Sequence, residues 1–180
     1  YLNQSGCYDR RDGLKDEKGF EWTRNAMSVM DFPEAEQRQI FQVVAAVMQL
    51  GDTQFTVVPK EADEDVSRIS DDTQEAFALC AKLLDVEEDM LAKALTTKKI
   101  KAVTEMIEVG LSVDKALEVR DGITKAIYSQ LFEYLVKRIN SMIRQNKGVS
   151  CFVGVLDIFG FEIFQQNGFE QLCINYANET

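Results

Sequence analysis

Cys151-Phe152-Val153-Gly154-Val155-Leu156-Asp157-Ile158-Phe159 runs straight into Gly160-Phe161-Glu162. This nearly continuous apolar run has the length of a strand and is bounded by turn residues. It suits a β-strand buried on both faces, the kind found in parallel sheets. An acidic residue at the carboxyl end of such a strand sits where α/β sheets bind their ligands. In nucleotide hydrolases an Asp there helps to hold Mg²⁺, directly or through a water. A Gly three residues later lets a backbone N–H approach a terminal phosphate, because no Cβ intrudes. Asp157 and Gly160 have this spacing. Taken alone, Asp-x-x-Gly arises often by chance and reads first as a strand followed by a turn.

The flanks read as helices. Downstream, Asn167-Gly168-Phe169-Glu170 has the form of a capping box and opens a helix with Phe169, Leu172, Cys173 and Tyr176 on one face. Upstream, Ala116, Ile123, Ala126, Ile127, Leu131, Leu135, Ile139 and Met142 keep helical period from near Ser112 to Lys147-Gly148. Gly122 inside it weakens that helix by roughly 1 kcal/mol relative to Ala. Asp31 and Glu34, with Pro33, form a second capping box for a helix that Gly51 would close. Asp72 and Glu75 form a third, followed by Ala76, Phe77, Cys80, Leu83 and Leu84. Short helices are expected over Glu21–Met30 and Val86–Leu95, a short strand over Gln54–Val58, and loop over Tyr1–Phe20. Lys98, Lys99 and Lys101 precede Ala102–Val109, which reads as a strand or hairpin loop. The fold class is mostly α with a core β-strand. That strand has no parallel partner here, so its sheet is expected to come from residues outside this sequence. Tyr1 at the start and an unfinished helix at Asn178-Glu179-Thr180 also suggest a piece of a larger protein.

Composition narrows the chemistry. The 180 residues (20.4 kDa) are 46% hydrophobic and 28% charged, enough for one real core. The formal net charge is −10, which disfavours nucleic acid as a partner. The stretch from Glu61 to Asp89 alone carries eleven acidic residues against Arg68 and Lys82. Asp63-Glu64-Asp65 lacks the central Gly of a calcium loop and reads as a solvated charge run. There is no His, so His-based triads and His metal sites are excluded within this chain. Cys7, Cys80, Cys151 and Cys173 form no CxxC pair and read as reduced thiols. No run of eighteen apolar residues exists, so no membrane span is expected.

The wider run decides between the readings of Asp-x-x-Gly. VLDIFGFEIF followed by NGFEQLCINYANE resembles the switch II strand and the start of the relay helix of myosin motors. YLNQSG at the start and KAIYSQLFEYLVKRIN in the long helix also resemble myosin segments. The resemblance implies a fragment of the α/β P-loop NTPase-type myosin motor domain. Residues 1–147 would be the mostly helical later part of the upper actin-binding subdomain. Residues 148–180 would be switch II and the start of the relay helix. It further implies ATP and Mg²⁺ as cofactors. Asp157 would sit beside the metal without ligating it directly, and the Gly160 amide would hydrogen-bond the γ-phosphate. Glu162 would pair with an arginine of switch I to close the site and orient the attacking water. Phe161 and Phe164 would couple the loop to the relay helix. Phe159 stands where the family often has Ser or Ala.

The same resemblance places Thr104, Glu105, Met106, Ile107 and Glu108 in a loop that contacts actin. Glu105, sixteen residues before Asp121, falls at a position that is acidic or phosphorylatable in many myosins. The implied partners are actin filaments, the rest of the myosin heavy chain and light chains on a lever absent here. The implied location is the cytoplasmic actin cytoskeleton. No GxxxxGK[ST] occurs in the 180 residues, and switch I is not identifiable. The fragment alone is therefore expected not to hydrolyse ATP. The alternative is a non-catalytic helical interaction module derived from a motor domain.

Overall fold

The computed structural model of the chain describes residues 1, 6, 13–58, 66–101, 106–143, 154, 157 and 160–179. The chain divides into two units, Tyr1–Ile143 and Arg144–Thr180. In the first, α1 spans Asp16–Val29, α2 Glu34–Asp52, β1 Phe55–Val58 and β2 Val66–Ile69. A 3₁₀ turn at Asp71–Thr73 leads into α3, Gln74–Leu84, and then α4, Glu88–Thr96. Next come β3, Thr97–Lys101, β4, Met106–Gly110, and α5, Val113–Met142. In the second unit, α6 spans Phe169–Glu179.

The core lies among α2, α3, α4, the first turns of α5 and the β1–β2 pair. Ala46, Leu50, Phe55, Ile69, Phe77, Cys80, Ala81, Leu91, Leu95 and Ala116 close it. Burying a side chain such as Phe77 contributes about 2–3 kcal/mol. Burial also pushes the Cys80 thiol up to about 11, which makes it an inert core group. β1 and β2 pair antiparallel from Phe55↔Ile69 to Val58↔Val66, and β3 and β4 from Thr97↔Gly110 to Lys101↔Met106.

Neither of the two capping boxes expected in this unit forms. Asp31 adopts a left-handed conformation (φ 52°) and ends α1 instead of opening α2. Its N–H donates to the Ser28 carbonyl, and the Phe32 N–H donates to Met27. That is a Schellman motif with Asp in the place where Gly is usual. Asp85 (φ 55°) closes α3 in the same way, with the Val86 N–H donating to Ala81. α2 begins after Pro33 with no side-chain cap, and Asp72 lies inside the 3₁₀ turn ahead of α3. Gly51 does not close α2. It is buried inside the last turn, where the ring of Tyr1 packs so closely that an added Cβ would fall 2.4 Å from it.

Other boundaries also move. α1 starts at Asp16, within the expected loop, with Asp16 and Glu17 favourably placed at its N-terminus. α5 ends at Met142, because Ile143 turns extended (ψ 112°). The expected core strand over 151–159 falls outside the described residues except for Gly154 and Asp157. Both are exposed and belong to no strand. The strands that are described are antiparallel.

α2 and α5 are tied at both ends. At one end the buried Arg120 of α5 donates to the Thr53 carbonyl (2.8 Å) and pairs with Asp121 (2.8 Å). The Tyr1 hydroxyl donates to the same Asp121 carboxylate (2.8 Å). Burial opposes ionisation of Asp121, but these donors outweigh it and hold its carboxyl below the usual range. At the other end Arg138 pairs with Glu36 (3.0 Å), donates to the Asp31 carbonyl (3.0 Å) and lies over the Phe32 ring. The Tyr134 hydroxyl also donates to Glu36, and this bond and Arg138 hold that carboxyl low.

Candidate functional site

Unit two builds its loop on neutral amides. Asn175, buried on α6, grips the backbone of Glu162 from both sides. Its Oδ1 accepts from the Glu162 N–H (2.9 Å), and its Nδ2 donates to the Glu162 carbonyl (2.8 Å). One turn earlier, Gln171 donates to the Glu162 carboxylate (3.4 Å) and to Asn175 (3.3 Å). Three residues later, Asn178 donates to the Gly160 carbonyl (3.3 Å). Gln171, Asn175 and Asn178 share one helix face by their spacing. They pair with the loop much as a neighbouring strand would. Asn167 closes a smaller loop, bonding both the N–H (2.9 Å) and the carbonyl (2.7 Å) of Phe164. It therefore does not cap α6, whose first bond runs from the Leu172 N–H to the Gly168 carbonyl.

Asp157 and Gly160 are exposed, and nothing lies within 4 Å of where a Gly160 Cβ would be. That side of the loop can admit a bulky group. The rings of Phe161 and Phe164 are 63% and 57% exposed, so within the described residues α6 holds the loop through amides instead of these aromatics.

The β3–β4 hairpin is the second candidate. α4 ends at Thr96 and β3 starts at Thr97 with no linker between them. The Leu111 N–H donates to Thr96 and the Ser67 N–H to Leu111, which stitches the hairpin base to α4 and β2. Gly110 passes so close to Val66 that a Cβ would fall 2.3 Å from it. Register puts Lys98, Ile100, Ile107 and Val109 on one face, and Lys99, Lys101, Met106 and Glu108 on the other. Ile100, Met106 and Ile107 are 46%, 61% and 49% exposed. Glu108 pairs with Lys93 of α4 at 2.7 Å. Thr104 and Glu105 lie outside the described residues.

The family profile described as "Myosin head (motor domain)" matches residues 1–180. The chain belongs to the myosin head family. It is 40% identical to Myosin-1 of Aspergillus niger over 184 residues, covering 99% of this chain and 14% of that protein. Myosin-17 of Arabidopsis thaliana is 41% identical over 179 residues (99% of this chain, 12% of that protein). Myosin-16 of the same plant is 42% identical over 181 residues (99% and 14%). The chain thus spans about one seventh of the length of the curated relatives it matches.

Two features bear on what this loop could accept. The open side of Gly160 fits a close approach to a phosphate. The acidic groups do not fit a complete metal site, since among the described residues no three His, Cys, Asp or Glu side chains converge. An Mg²⁺ near Asp157 would have to take its ligands from elsewhere in a myosin head. Among the described residues, no helix is long and apolar enough to cross a membrane. Sequence reasoning passed over Gln171, Asn175 and Asn178. Their i, i+4, i+7 spacing of amide side chains, on the helix that follows the loop, is the signal that could have found them.

Proposed function

We propose that this myosin head segment serves an actin-based motor driven by ATP hydrolysis, to which it brings the switch II phosphate sensor and an actin-contacting hairpin. The observation that carries the first half is the amide hold of α6 on Gly160–Glu162. It ties the loop bearing Asp157, Gly160 and Glu162 to the helix that would relay its position. Gly160 would offer its amide to the γ-phosphate. Glu162 would pair with a switch I arginine and order the attacking water, and Asp157 would sit beside the Mg²⁺ ligands. Bound Mg²⁺ would neutralise charge on the phosphates. Phe161 and Phe164, exposed here, would be covered by other parts of the motor and couple the loop to α6. Residues 1–147 would form the later part of the upper actin-binding subdomain of a P-loop NTPase-type motor, and 148–180 switch II with the start of the relay helix. The rest of the heavy chain, light chains on its lever and the cytoplasmic actin cytoskeleton complete the reading.

The second half rests on the hairpin. Lys98, Lys99 and Lys101 cluster with exposed Ile100, Met106 and Ile107, in a chain whose acidic excess lies mainly between Glu61 and Asp89. A basic, apolar projection of this kind would complement a partner surface that carries acidic and apolar groups. Single-turnover kinetics of the complete motor test the site. Glu162→Ala should still bind ATP but hydrolyse it on the order of 100-fold more slowly. Unchanged single-turnover hydrolysis removes Glu162 from the mechanism. Myosin head segments without a P-loop should show no ATPase above a Gly160→Ala control.

A further inference from the structure

Glu108 lies in the proposed actin-contacting segment, yet its carboxylate is already engaged. Lys93 sits in the last turn of α4, where a cation suits the helix terminus. Its ammonium meets the Glu108 carboxylate at 2.7 Å, while its own carbonyl accepts from the Thr97 hydroxyl at 2.7 Å. Lys93 therefore touches both strands, β3 through its backbone and β4 through its side chain. Across the hairpin, Lys99 stands directly opposite Glu108. The hydrogen bond from Lys93, with the charges of Lys93 and Lys99 around it, holds the Glu108 carboxyl below the usual range. A carboxylate flanked by two lysines of its own chain is poorly placed to recruit a basic group from a partner. It is well placed to hold the hairpin at one angle to α4, because the joint between α4 and β3 has no linker.

We infer that Lys93 and Glu108 are positioning residues that set the tilt of the β3–β4 hairpin, so that Ile100 and Ile107 meet the partner surface while Glu108, on the opposite face, does not. This rests on the proposed contact between hairpin and actin. The pair is half-exposed, with side chains 57% and 38% exposed, so its effect is modest and salt-sensitive.

The test is actin-activated ATPase of the complete motor at constant low ionic strength. Glu108→Gln and Lys93→Met should each raise the actin concentration for half-maximal rate roughly threefold, leaving the maximal rate close to its original value. Because both variants break one brace, the double variant should match the singles. The exchanged pair Lys93→Glu with Glu108→Lys should recover most of the loss. Additive effects, or no recovery on exchange, would make Glu108 a contact residue and overturn the inference. Single variants with unchanged actin dependence would make the pair idle and overturn it equally. Ile107→Asp separates the two claims, since it should raise the half-maximal actin concentration by about tenfold or more. If Ile107→Asp changes nothing, the filament reading fails and the inference falls with it. If it acts as expected while the pair fails its arms, the inference alone fails.

Discussion

Arg120 and Asn175 are both buried polar residues on helices, and both hold a neighbouring backbone, but they do so with different chemistry. Arg120 is a charge, and it reaches the Thr53 carbonyl while pairing with Asp121. A buried charge is costly once its partners leave, so the α2–α5 joint resists opening. Asn175 is neutral, and its one amide satisfies both the N–H and the carbonyl of Glu162. Breaking two neutral bonds in favour of water costs less. The first arrangement suits a frame that stays put, and the second suits a loop that can let go of its helix at modest cost.

Native-state hydrogen exchange on a complete myosin head can test this contrast, because it reads each joint separately. Arg120→Met should give the largest effect. Losing about 3 kcal/mol would speed exchange at the facing ends of α2 and α5 roughly 100-fold. Equal protection in variant and parent would show that the charge does not hold the frame. Asn175→Ala should cost the loop about 2 kcal/mol, near 30-fold at the Glu162 amide, while Ala slightly stabilises α6 itself. If helix and loop loosen together, the amide is part of the fold and not a releasable hold.

Two glycines then give opposite signs for one substitution. Gly122 faces open space in α5, so Gly122→Ala should slow local exchange about fivefold, near 1 kcal/mol. Gly51→Ala should speed exchange at the Tyr1 end, because its Cβ would displace the Tyr1 ring that anchors Asp121. The smallest effect is that of pH. Asp121 and Glu36 are held below their usual values of 3.8 and 4.5. Their contribution is complete above those values and fades as pH falls through about 4. Acidification from pH 6 to pH 4 should therefore loosen the α2–α5 ends by about threefold relative to the Asn175–Glu162 backbone pairs, which do not titrate. Equal loosening of both joints would count against a charge-held frame.

Much of the architecture was legible because it rests on periodicity. The stripes in α2, α3 and α5 appear where apolar residues recur at helical spacing, and the described part of the expected strand or hairpin over Ala102–Val109 is β4, paired with β3. Helix ends were less legible, and Asp31 shows why. An Asp ahead of an acidic first turn is the usual signature of a helix start, but Asp also tolerates the left-handed conformation. Only the positions of the Ser28 and Met27 carbonyls reveal which role applies. Gly51 misled for the converse reason. A glycine near a helix end reads as a stop, whereas here it makes room for the ring of Tyr1, distant in sequence. At the candidate site, Asp157, Gly160 and Glu162 stood out because their chemistry is local in sequence. Asn175 did not, because its partner lies thirteen residues away and is backbone, which leaves no mark in side-chain patterns.

That same feature bears on how such a segment can change over generations. The bonds from Asn175 and from Asn178 end on main-chain atoms of Glu162 and Gly160. Every amino acid except proline presents those atoms alike. The mechanical attachment of the loop is thus largely blind to which side chain the loop displays. Substitutions that alter its chemistry can accumulate without detaching it, and the helix can be retuned without touching that chemistry. Loop chemistry and loop attachment are open to selection as separate traits, although they meet at a single residue.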